Sequence, residues 1–593
     1  MKTSILGYNW QVNEFDERVC KTMMQRFEIS EILARLLAMR GVAIGEVENF
    51  LNPKIKTNLP NPFDLDGVLD GVLHVIEAIK QNKKITIFAD YDVDGATSAA
   101  LFVRFFRAIN VDVDIYIPDR ILEGYGPNRD ALLKLKNSGT DLVIMLDCGA
   151  VAFEPLLAAF EAGLEIIVID HHLGALEKPK AISVINPNSI GEKFAHKNLC
   201  AAGVSFLFLV ALNSKLREIG FYESTKIVEP NLINLLDLVA LGSVCDVMTL
   251  TGANRSFVDA GLKIMAKRQN LGIKIICDLA KLDQKPSAYH LGFVIGPRIN
   301  AGGRIGKSDL GARLLSSDDE IEVLEIAKLL EKLNSERKEI ENQALEEAIN
   351  NLENSRDGFS KDDAVIFAIS KNYHQGIIGI IASRLKDKFE KPVCVIALDE
   401  ENNRGKASCR SISGIDFGKE ILNAKVLGIL IEGGGHAAAG GFSVAINKIR
   451  ELHAFFNEKL GGEIAKINSQ KIKNYDIALD LAQVNVVLLQ ELSKLEPFGN
   501  GNSKPKFLIR DVIKLRAKLV GQTQEHVSCF FSAKNITGFS GNLQAIAFRS
   551  ASTILGEILM DEKVKNFNLI GTLEINNYLG NSSVQMIIED VVI

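Results

Sequence analysis

Four short clusters of acidic residues and histidines in this sequence carry the side chains that could do chemistry. They are Asp90-Tyr91-Asp92-Val93-Asp94-Gly95, Asp147-Cys148-Gly149, Asp170-His171-His172 and Gly242-Ser243-Val244-Cys245-Asp246. Carboxylates that converge on one point repel each other unless a cation lies among them. A shell of carboxylates with one or two imidazoles suits Mn²⁺ or Mg²⁺ better than structural Zn²⁺. The clusters therefore predict a metal site, and their number favours two ions.

Strands of a parallel sheet are the elements expected to position these clusters. Three clusters follow β-branched apolar runs, at residues 85–88, 142–146 and 166–169, and the fourth ends the apolar stretch 235–244. Continuous apolar runs are typical of strands buried on both faces of a parallel sheet. Ligand sites in such sheets gather at the carboxyl ends of the strands. We therefore expect all four clusters to lie at strand ends, along one edge of a sheet.

Length and composition describe a globular protein of several domains. The chain has 593 residues, of which 47% are hydrophobic and 24% charged, and no stretch approaches the length of a membrane span. The eight cysteines occur singly, without a Cys-x-x-Cys pair, which argues against a disulfide framework or a zinc ribbon. The net charge of −6 argues against nucleic-acid binding by the whole surface and leaves room for a local basic groove. We expect a cytoplasmic protein without a membrane partner.

Two patterns organise the middle of the chain. Strand and helix patterns alternate from about residue 69 to 246, which is typical of a βαβ sheet, and residues 246–315 look mainly helical. A long helix is then predicted from Ser317 to about Asn354, opening with the capping-box spacing of residues 317–320. Such a helix suits a connection between two lobes.

The rest of the chain predicts a second lobe and a barrel. The lobe has strand-like runs at 364–368 and 393–397 and a glycine-rich turn at Gly433-Gly434-Gly435-His436. After residue 472, short β-branched segments alternate with Gly/Asn turns, as in a small β-barrel. The predicted domains are an N-terminal segment packing on the catalytic core, 1–60; the catalytic domain, 61–315; the connecting helix, 316–356; the second α/β domain, 357–465; and the barrel, 466–593.

The metal-site clusters resemble those of the DHH phosphoesterase superfamily, and motifs over about residues 40 to 510 extend the resemblance. Two segments resemble substrate loops of one branch: Arg120-x-x-Glu123-Gly124-Tyr125-Gly126 and residues 296–304. Two others resemble the DHH-associated domain: His374-Gln375-Gly376-x-x-Gly379-Ile380 and Gly433-Gly434-Gly435-His436. The segment Pro497-Phe498-Gly499-x-Gly501-Asn502 resembles the start of the barrel in RecJ exonucleases. The resemblance implies a parallel-sheet DHH catalytic domain, a long helix, a smaller α/β DHH-associated domain and a C-terminal OB-type barrel.

The resemblance also assigns roles to individual residues. The implied metal ligands are Asp92, Asp94, Asp147, His171 and Asp246, with Asp90 and His172 beside them in the catalytic site. The implied nucleic-acid and phosphate contacts are Arg120, Tyr125, Arg298, Asn300, Arg304, Ser408, Arg410 and His436. For the arginines, an ordinary surface salt bridge is the alternative role.

The function implied by the resemblance is metal-dependent 5′→3′ digestion of single-stranded DNA to 5′-mononucleotides, in DNA repair and recombination. Two divalent ions, Mn²⁺ or Mg²⁺, would be the cofactors. A RecQ-type helicase and a single-strand-binding protein would be the protein partners, and we expect a monomer.

Three other functions fit parts of the sequence. A small-substrate phosphoesterase would share the metal site but would need no C-terminal barrel. A non-catalytic replication scaffold would keep the fold, but the intact set of metal-binding side chains argues against it. A nucleotide-cofactor protein would use a similar sheet, but no Gly-x-Gly-x-x-Gly follows the first core strand.

Overall fold

The computed structural model describes residues 3–119, 123–124, 126–533, 542–578 and 581–593. The chain forms two compact units, the first made of Met1–Gly303, Lys307–Ala327 and Ile472–Ile593, and the second of Arg304–Gly306 and Lys328–Lys471. Within the described ranges, no helix combines the length and the apolar character needed to cross a bilayer.

The N-terminal segment is a strand followed by short helices: β1 (Asn9–Val12), α1 (Glu17–Phe27), α2 (Glu31–Met39), α3 (Val47–Leu51) and α4 (Ile55–Asn58). Helix α2 is amphipathic, and Leu33, Leu36 and Leu37 lie on its buried face. It begins after Ser30, whose hydroxyl accepts a hydrogen bond from the N–H of Leu33 at 3.2 Å. A serine in this position satisfies one of the unpaired N–H groups of the first turn.

A five-stranded parallel sheet forms the core of the first unit. Its strands are β2 (Ile85–Ala89), β3 (Val113–Tyr116), β4 (Leu142–Leu146), β5 (Glu165–Ile169) and β6 (Ser183–Ile185), in the order β3-β2-β4-β5-β6. Its flanking helices are α5 (Val68–Lys80), α6 (Val93–Ala108), α7 (Arg129–Asn137), α8 (Phe153–Glu161), α9 (Ala201–Glu218) and α10 (Phe221–Thr225). Every residue of β2 and β4 is buried, as is every residue of β5 after Glu165, so the three β-branched runs are confirmed as central strands.

The fourth cluster does not follow a strand, and here the prediction was wrong. Residues 236–245 form helix α11 (Leu236–Cys245), and Asp246 is its C-terminal cap. A fully buried apolar run has no periodicity that separates helix from strand. This run is ten residues long, and that length suits a helix better than a short strand.

The region 246–315 is helical, as predicted. It contains α12 (Gly252–Met265), α13 (Leu271–Leu279), α14 (Ala288–His290), α15 (Gly296–Ile305) and α16 (Leu310–Ser316), with a π-helical turn, Leu291–Ile295, joining α14 to α15. The long helix α17 (Glu320–Glu353) follows and continues from the first unit into the second. Its N-cap is Asp319 and not Ser317, because the Asp319 carboxylate accepts the N–H groups of Ile321 and Glu322.

A mixed five-stranded sheet forms the second unit. Its strands are β7 (Ile366–Ser370), β8 (Val393–Asp399), β9 (Arg404–Arg410), β10 (Glu432–His436) and β11 (Ala439–Ala445), in the order β10-β11-β9-β8-β7. Its helices are α18 (Ile378–Phe389), α19 (Phe417–Val426) and α20 (Ile449–Gln470). The predicted glycine-rich turn is instead strand β10. Glycine is needed there because a Cβ on Gly433 would lie 2.9 Å from both Ile421 and Phe442.

The C-terminal region is the predicted barrel. Its elements are β12 (Ile472–Tyr475), β13 (Ile477–Leu479), α21 (Val486–Leu492), β14 (Lys506–Val520), β15 (His526–Ala533), β16 (Asn542–Ala547), α22 (Ile554–Met560), β17 (Asn566–Tyr578) and β18 (Asn581–Val592). The strand order is β13-β14-β15-β16-β18-β17, and pairing of β17 with β14 closes the barrel. Closure removes the free sheet edges that would otherwise invite aggregation.

The N-terminal segment shares its core with this barrel. Strand β1 pairs in parallel with β12, and Trp10 donates a hydrogen bond from Nε1 to the buried Asp590 at 2.8 Å. Side chains of α1 and α2, among them Met23 and Leu36, lie in one apolar cluster with Phe507 and other barrel residues. Further along, α4 contacts α12. The two ends of the chain therefore fold as one structure.

Candidate metal centre

A tight turn positions the first three carboxylates of the site. Strand β2 ends just before Asp90, and α6 begins at Val93. The carboxylate of Asp92 caps the helix, accepting the N–H groups of Asp94 at 2.8 Å and Gly95 at 3.1 Å. A Cβ at Gly95 would overlap the carbonyl oxygen of Asp90, so glycine is required for the helix to start this close to the strand.

Asp170 connects the loops that follow β4 and β5. Its Oδ1 accepts the N–H groups of His171 at 2.7 Å and His172 at 3.1 Å, and lies 2.8 Å from Nδ1 of the His172 ring. Its Oδ2 accepts the N–H of Ala150, three residues after Asp147. One buried carboxylate therefore fixes the orientation of both histidines relative to the loop of Asp147.

Two asparagines support the histidines from the next strand. Asn186 donates from Nδ2 to the carbonyl of His172 at 2.8 Å, and Asn188 donates to that of His171 at 2.6 Å. The sequence analysis missed both residues. They directly follow β6, so an Asn-Pro-Asn after a fifth β-branched run was the signal that could have found them.

The side chains of the four clusters meet around the ring of His171. Its Nε2 lies 3.3 Å from Asp147 Oδ1, 3.5 Å from Asp246 Oδ2 and 3.8 Å from Asp94 Oδ2. Within the described residues, three overlapping groups of potential ligand atoms emerge, each within 4.8 Å: Asp147, His171 and His172; Asp94, His171 and Asp246; and Asp90, Asp92 and Asp147. All seven predicted catalytic residues are therefore brought together.

Asp94 has a second contact that the sequence did not predict. Its carboxylate accepts the N–H groups of Ala201 at 2.6 Å and Ala202 at 2.9 Å, the first residues of α9. The N-terminus of a helix stabilises a negative charge. Helix α9 therefore anchors Asp94 while its Oδ2 still faces His171.

Burial and mutual repulsion dominate the electrostatics of the centre. Burial, followed by the charges of Asp94 and Asp92, raises the pKa of Asp147 well above its usual range and that of Asp246 to about 8. Burial lowers the pKa of His171. Burial also opposes the charge of His172, but the hydrogen bond and charge of Asp170 outweigh it and raise the pKa of His172 to about 9. The carboxylates carry an excess negative charge that cations would relieve.

The predicted DNA-contacting residues lie in several places. Arg120 and Tyr125 fall outside the described residues. Arg298 and Asn300 lie on α15 of the first unit, where Arg298 donates to the carbonyl of Val294 at 2.7 Å. Arg304, Ser408, Arg410 and His436 belong to the second unit, where Arg304 donates to the carbonyl of Gly376 at 2.8 Å.

In the second unit, strand register brings Ser408, Arg410 and His436 onto one face of the sheet. Arg410 pairs with Ala439, which pairs with His436, so these residues form one row across three strands. Ser408 lies two positions before Arg410 and receives a hydrogen bond from its Nη1 at 3.3 Å. The neighbouring row contains Gly441 and Gly434, so beyond Ser408 this row has no side chains.

Comparisons with known proteins agree with this fold and site. Three family models match: the DHH family N-terminal domain at residues 84–243, the DHHA1 domain at 362–462 and the RecJ OB domain at 475–590. The single-stranded-DNA-specific exonuclease RecJ of Escherichia coli K12 is 33% identical over 572 residues, covering 95% of this chain and 96% of the relative. That of Haemophilus influenzae is 32% identical, covering 89% of this chain and 91% of the relative.

A solved structure agrees as well. The crystal structure of RecJ from Thermus thermophilus in complex with Mn²⁺ matches with a TM-score of 0.79 and 25% identity, covering 99% of this chain and 79% of that one. A second structure of that protein contains Mg²⁺ and has a TM-score of 0.73 at 24% identity. Fold and site thus define a metal-dependent phosphoesterase of the DHH class. The chain belongs to the RecJ family of single-stranded-DNA-specific exonucleases.

Proposed function

We propose that this protein hydrolyses single-stranded DNA from its 5′ end to 5′-mononucleotides, in DNA repair and recombination, with Mn²⁺ or Mg²⁺ as cofactor. The observation that carries the proposal is the convergence of five aspartates and two histidines into three overlapping groups, which share His171 and Asp147. The C-terminal barrel favours a long single strand over a small substrate, since such barrels hold extended strands in a groove.

The donor atoms fit divalent ions. Nε2 of His171 and Oδ2 of Asp246 are buried and make no hydrogen bond among the described residues, although carboxylate oxygens surround them. Asp147 and His171 each belong to two of the three groups, which supports two neighbouring ions. The proposed ligands are Asp92, Asp94, Asp147, His171 and Asp246. When bound, the ions would lower the pKa of a water molecule and offset negative charge on the phosphate.

The remaining residues of the centre orient these ligands and the substrate. Asp170 holds His172 through Nδ1, and in the metal-free protein its hydrogen bond and charge raise the pKa of this ring to about 9, which favours the protonated form. His172 can then donate from Nε2 to an oxygen of the scissile phosphate, where a positive charge stabilises the transition state. Helix α9, through Ala201 and Ala202, keeps Asp94 in its orientation.

The row of Ser408, Arg410 and His436, beside the first turn of α18, is the proposed phosphate-binding surface. A Cβ on Gly379, in the first turn of α18, would lie 3.1 Å from the hydroxyl of Ser408 and 3.2 Å from Nη2 of Arg410. Arginine, serine and a helix N-terminus are all donors suited to a phosphate. Arg298, Asn300 and Arg304, together with Arg120 and Tyr125, are proposed to continue the DNA path.

We expect Arg410→Ala to weaken binding of single-stranded DNA without changing Mn²⁺ affinity. Loss of one phosphate contact should reduce the slope of log K against log salt concentration by about 0.7 for a single strand. Binding titrations at several salt concentrations measure this slope. The matched control is Arg404→Ala, an exposed arginine at the other end of the same strand. An unchanged slope for Arg410→Ala would assign that arginine a structural role.

The polarity and metal dependence are tested with end-labelled single strands. With 5′-labelled DNA and Mn²⁺, the label should appear as a mononucleotide from the first time points. With 3′-labelled DNA, progressively shorter labelled strands should precede the labelled mononucleotide, and neither substrate should change after chelation of the metal. Early release of a 3′ label would contradict the proposed direction.

Partners and location complete the proposal. An enzyme that consumes single strands needs a source of them, so a RecQ-type helicase and a single-strand-binding protein are the proposed partners of a monomeric enzyme. The eight cysteines are free thiols, which supports the proposal that the protein is located in the reducing cytoplasm. The domain boundaries proposed are those given by the sequence, with α17 as the connecting helix.

A further inference from the structure

The segment that follows Asp246 is attached to a loop of the barrel region, called here the support loop (residues 497–502). Asn500 makes both connections. Its Nδ2 donates to the carbonyl of Val247 at 2.7 Å, and its own carbonyl accepts the N–H of Leu250 at 2.8 Å. More than 250 residues of sequence separate the two segments, so this contact is a product of the fold.

Val247 has an unfavourable backbone conformation that requires such support. Its φ is +57°, in the left-handed region that β-branched residues rarely adopt. The N–H groups of Val247 and Met248 bond back to the last turn of α11, a helix end that ordinarily uses glycine in this position. The Val247 side chain is 64% exposed, so apolar packing contributes little to holding it. Hydrogen bonds to its backbone must therefore maintain the turn.

Hydrogen bonds from Asn502 and from Arg255 on α12 hold the support loop in place. Asn502 donates from Nδ2 to the carbonyls of Leu495 at 2.8 Å and Pro497 at 2.9 Å. Arg255, which is only 2% exposed, donates to the carbonyl of Pro497 at 3.4 Å and, just before the loop, to that of Glu496 at 2.7 Å. These bonds join the support loop to α12, so the loop has a fixed position and can hold the residues that it contacts in place.

The loop also fits closely against the segment that it supports. A Cβ on Gly499 would lie 2.6 Å from Leu250, and a Cβ on Gly501 would lie 3.2 Å from Thr249. Side chains at either glycine would push the two segments apart. The glycines of the Pro-Phe-Gly-x-Gly-Asn motif therefore allow Asn500 to lie close enough to the residues after Asp246 to form hydrogen bonds with them.

We propose that Asn500 is a positioning residue of the metal centre. By holding Val247 in its left-handed conformation, it fixes the C-terminal cap of α11 and with it the carboxylate of Asp246. The inference rests on the proposed function, in that Asp246 must be a metal ligand. It gives the start of the barrel a role in the catalytic site, in addition to any role in binding DNA.

The test is direct titration of the full-length protein with Mn²⁺ in the absence of DNA. Asn500→Ala should weaken Mn²⁺ binding about tenfold, as is typical when a group that orients a metal ligand is removed. The Asn500 side chain is exposed, so the variant should remain folded, which thermal unfolding checks. The matched control is Asn474→Ala, which removes an exposed side-chain hydrogen bond to Asn13 in the same unit and should leave Mn²⁺ affinity unchanged.

A second variant tests the route through Val247. Glycine adopts a positive φ without strain, so Val247→Gly added to Asn500→Ala should restore most of the lost Mn²⁺ affinity. Unchanged affinity in Asn500→Ala, or a loss that Val247→Gly does not restore, would overturn the inference. Failure of the proposed function would look different, because wild-type protein and an Asp147→Asn variant would then bind Mn²⁺ equally.

Discussion

We expect Asp147→Asn to abolish hydrolysis while making the metal-free protein more stable. Asp147 is 2% exposed and belongs to two of the three donor groups, so both proposed ions depend on it. Asparagine is the appropriate substitute, since it keeps the shape of the side chain and tolerates the φ of +62° found here. The rate of hydrolysis at saturating Mn²⁺ should fall below about a tenth of the wild-type rate. Loss of a metal ligand reduces activity more than loss of a residue that only orients a ligand.

The stability gain follows from the sign of the pKa shift. Burial and the neighbouring aspartates raise the pKa of Asp147, so its ionised form is less favourable in the folded state than in the unfolded one. The resulting loss of folding free energy grows as the pH rises from the pKa of Asp147 in the unfolded state to its higher pKa in the folded state. The neutral amide of asparagine removes this loss.

Thermal unfolding without metal should therefore give a higher Tm for Asp147→Asn than for wild type at neutral pH. Added Mn²⁺ should raise the Tm of wild type much more than that of the variant. The control is Asp112→Asn, an exposed aspartate, which should behave as wild type in both measurements. Substantial activity in Asp147→Asn, or an undiminished Mn²⁺ effect on its Tm, would contradict the metal assignment.

The parts of the site that could be predicted from sequence are those with a local signal. Asp90, Asp147 and Asp170 each follow a continuous β-branched run, and such a run ends at a predictable edge of a parallel sheet. Asp246 was recognised as part of the site through its motif, yet its element was predicted wrongly, because the periodicity of an apolar run buried on all sides does not separate a helix from a strand.

The supporting contacts could not be predicted, because they join residues far apart in the chain. Ala201 and Ala202 have no side-chain chemistry, and only the packing of α9 against α6 brings their N–H groups to Asp94. Asn500 and Val247 are 253 residues apart in the sequence, and only the tertiary structure brings them together. Sequence patterns identify groups that do chemistry, whereas the groups that orient them are defined by tertiary structure.

Sequence patterns also do not show which aromatic residues of the barrel lie in its core and which lie on its surface. Among the aromatic and basic residues of the barrel, Phe507 and Phe531 are core residues, and Lys514 donates to the backbone carbonyls of Leu559 and Asp561 at the end of α22. The outward face of β14, β15 and β16 instead carries, in register, Arg516, Lys518, Phe530 and, just beyond β16, Phe548. The guanidinium of Arg516 lies 4.1 Å from the ring centroid of Phe530. This face combines positive charge with aromatic rings, as single-strand-binding surfaces do.

We expect the double variant Phe530→Ala/Phe548→Ala to bind a single-stranded 30-mer at least about tenfold more weakly, since each stacked base contributes about 1–3 kcal/mol. Phe530 and Phe548 lie on the same face, four residues apart in the register of β15, or about 13 Å, enough for two or more nucleotides. Hydrolysis of a very short oligonucleotide should be unchanged, because the metal centre is intact. Metal-free titration of labelled 30-mers measures the affinity, and Phe160→Ala, which removes a 56% exposed ring on α8, is the control. Equal affinity of the double variant and wild type would mean that this face binds a protein and not DNA.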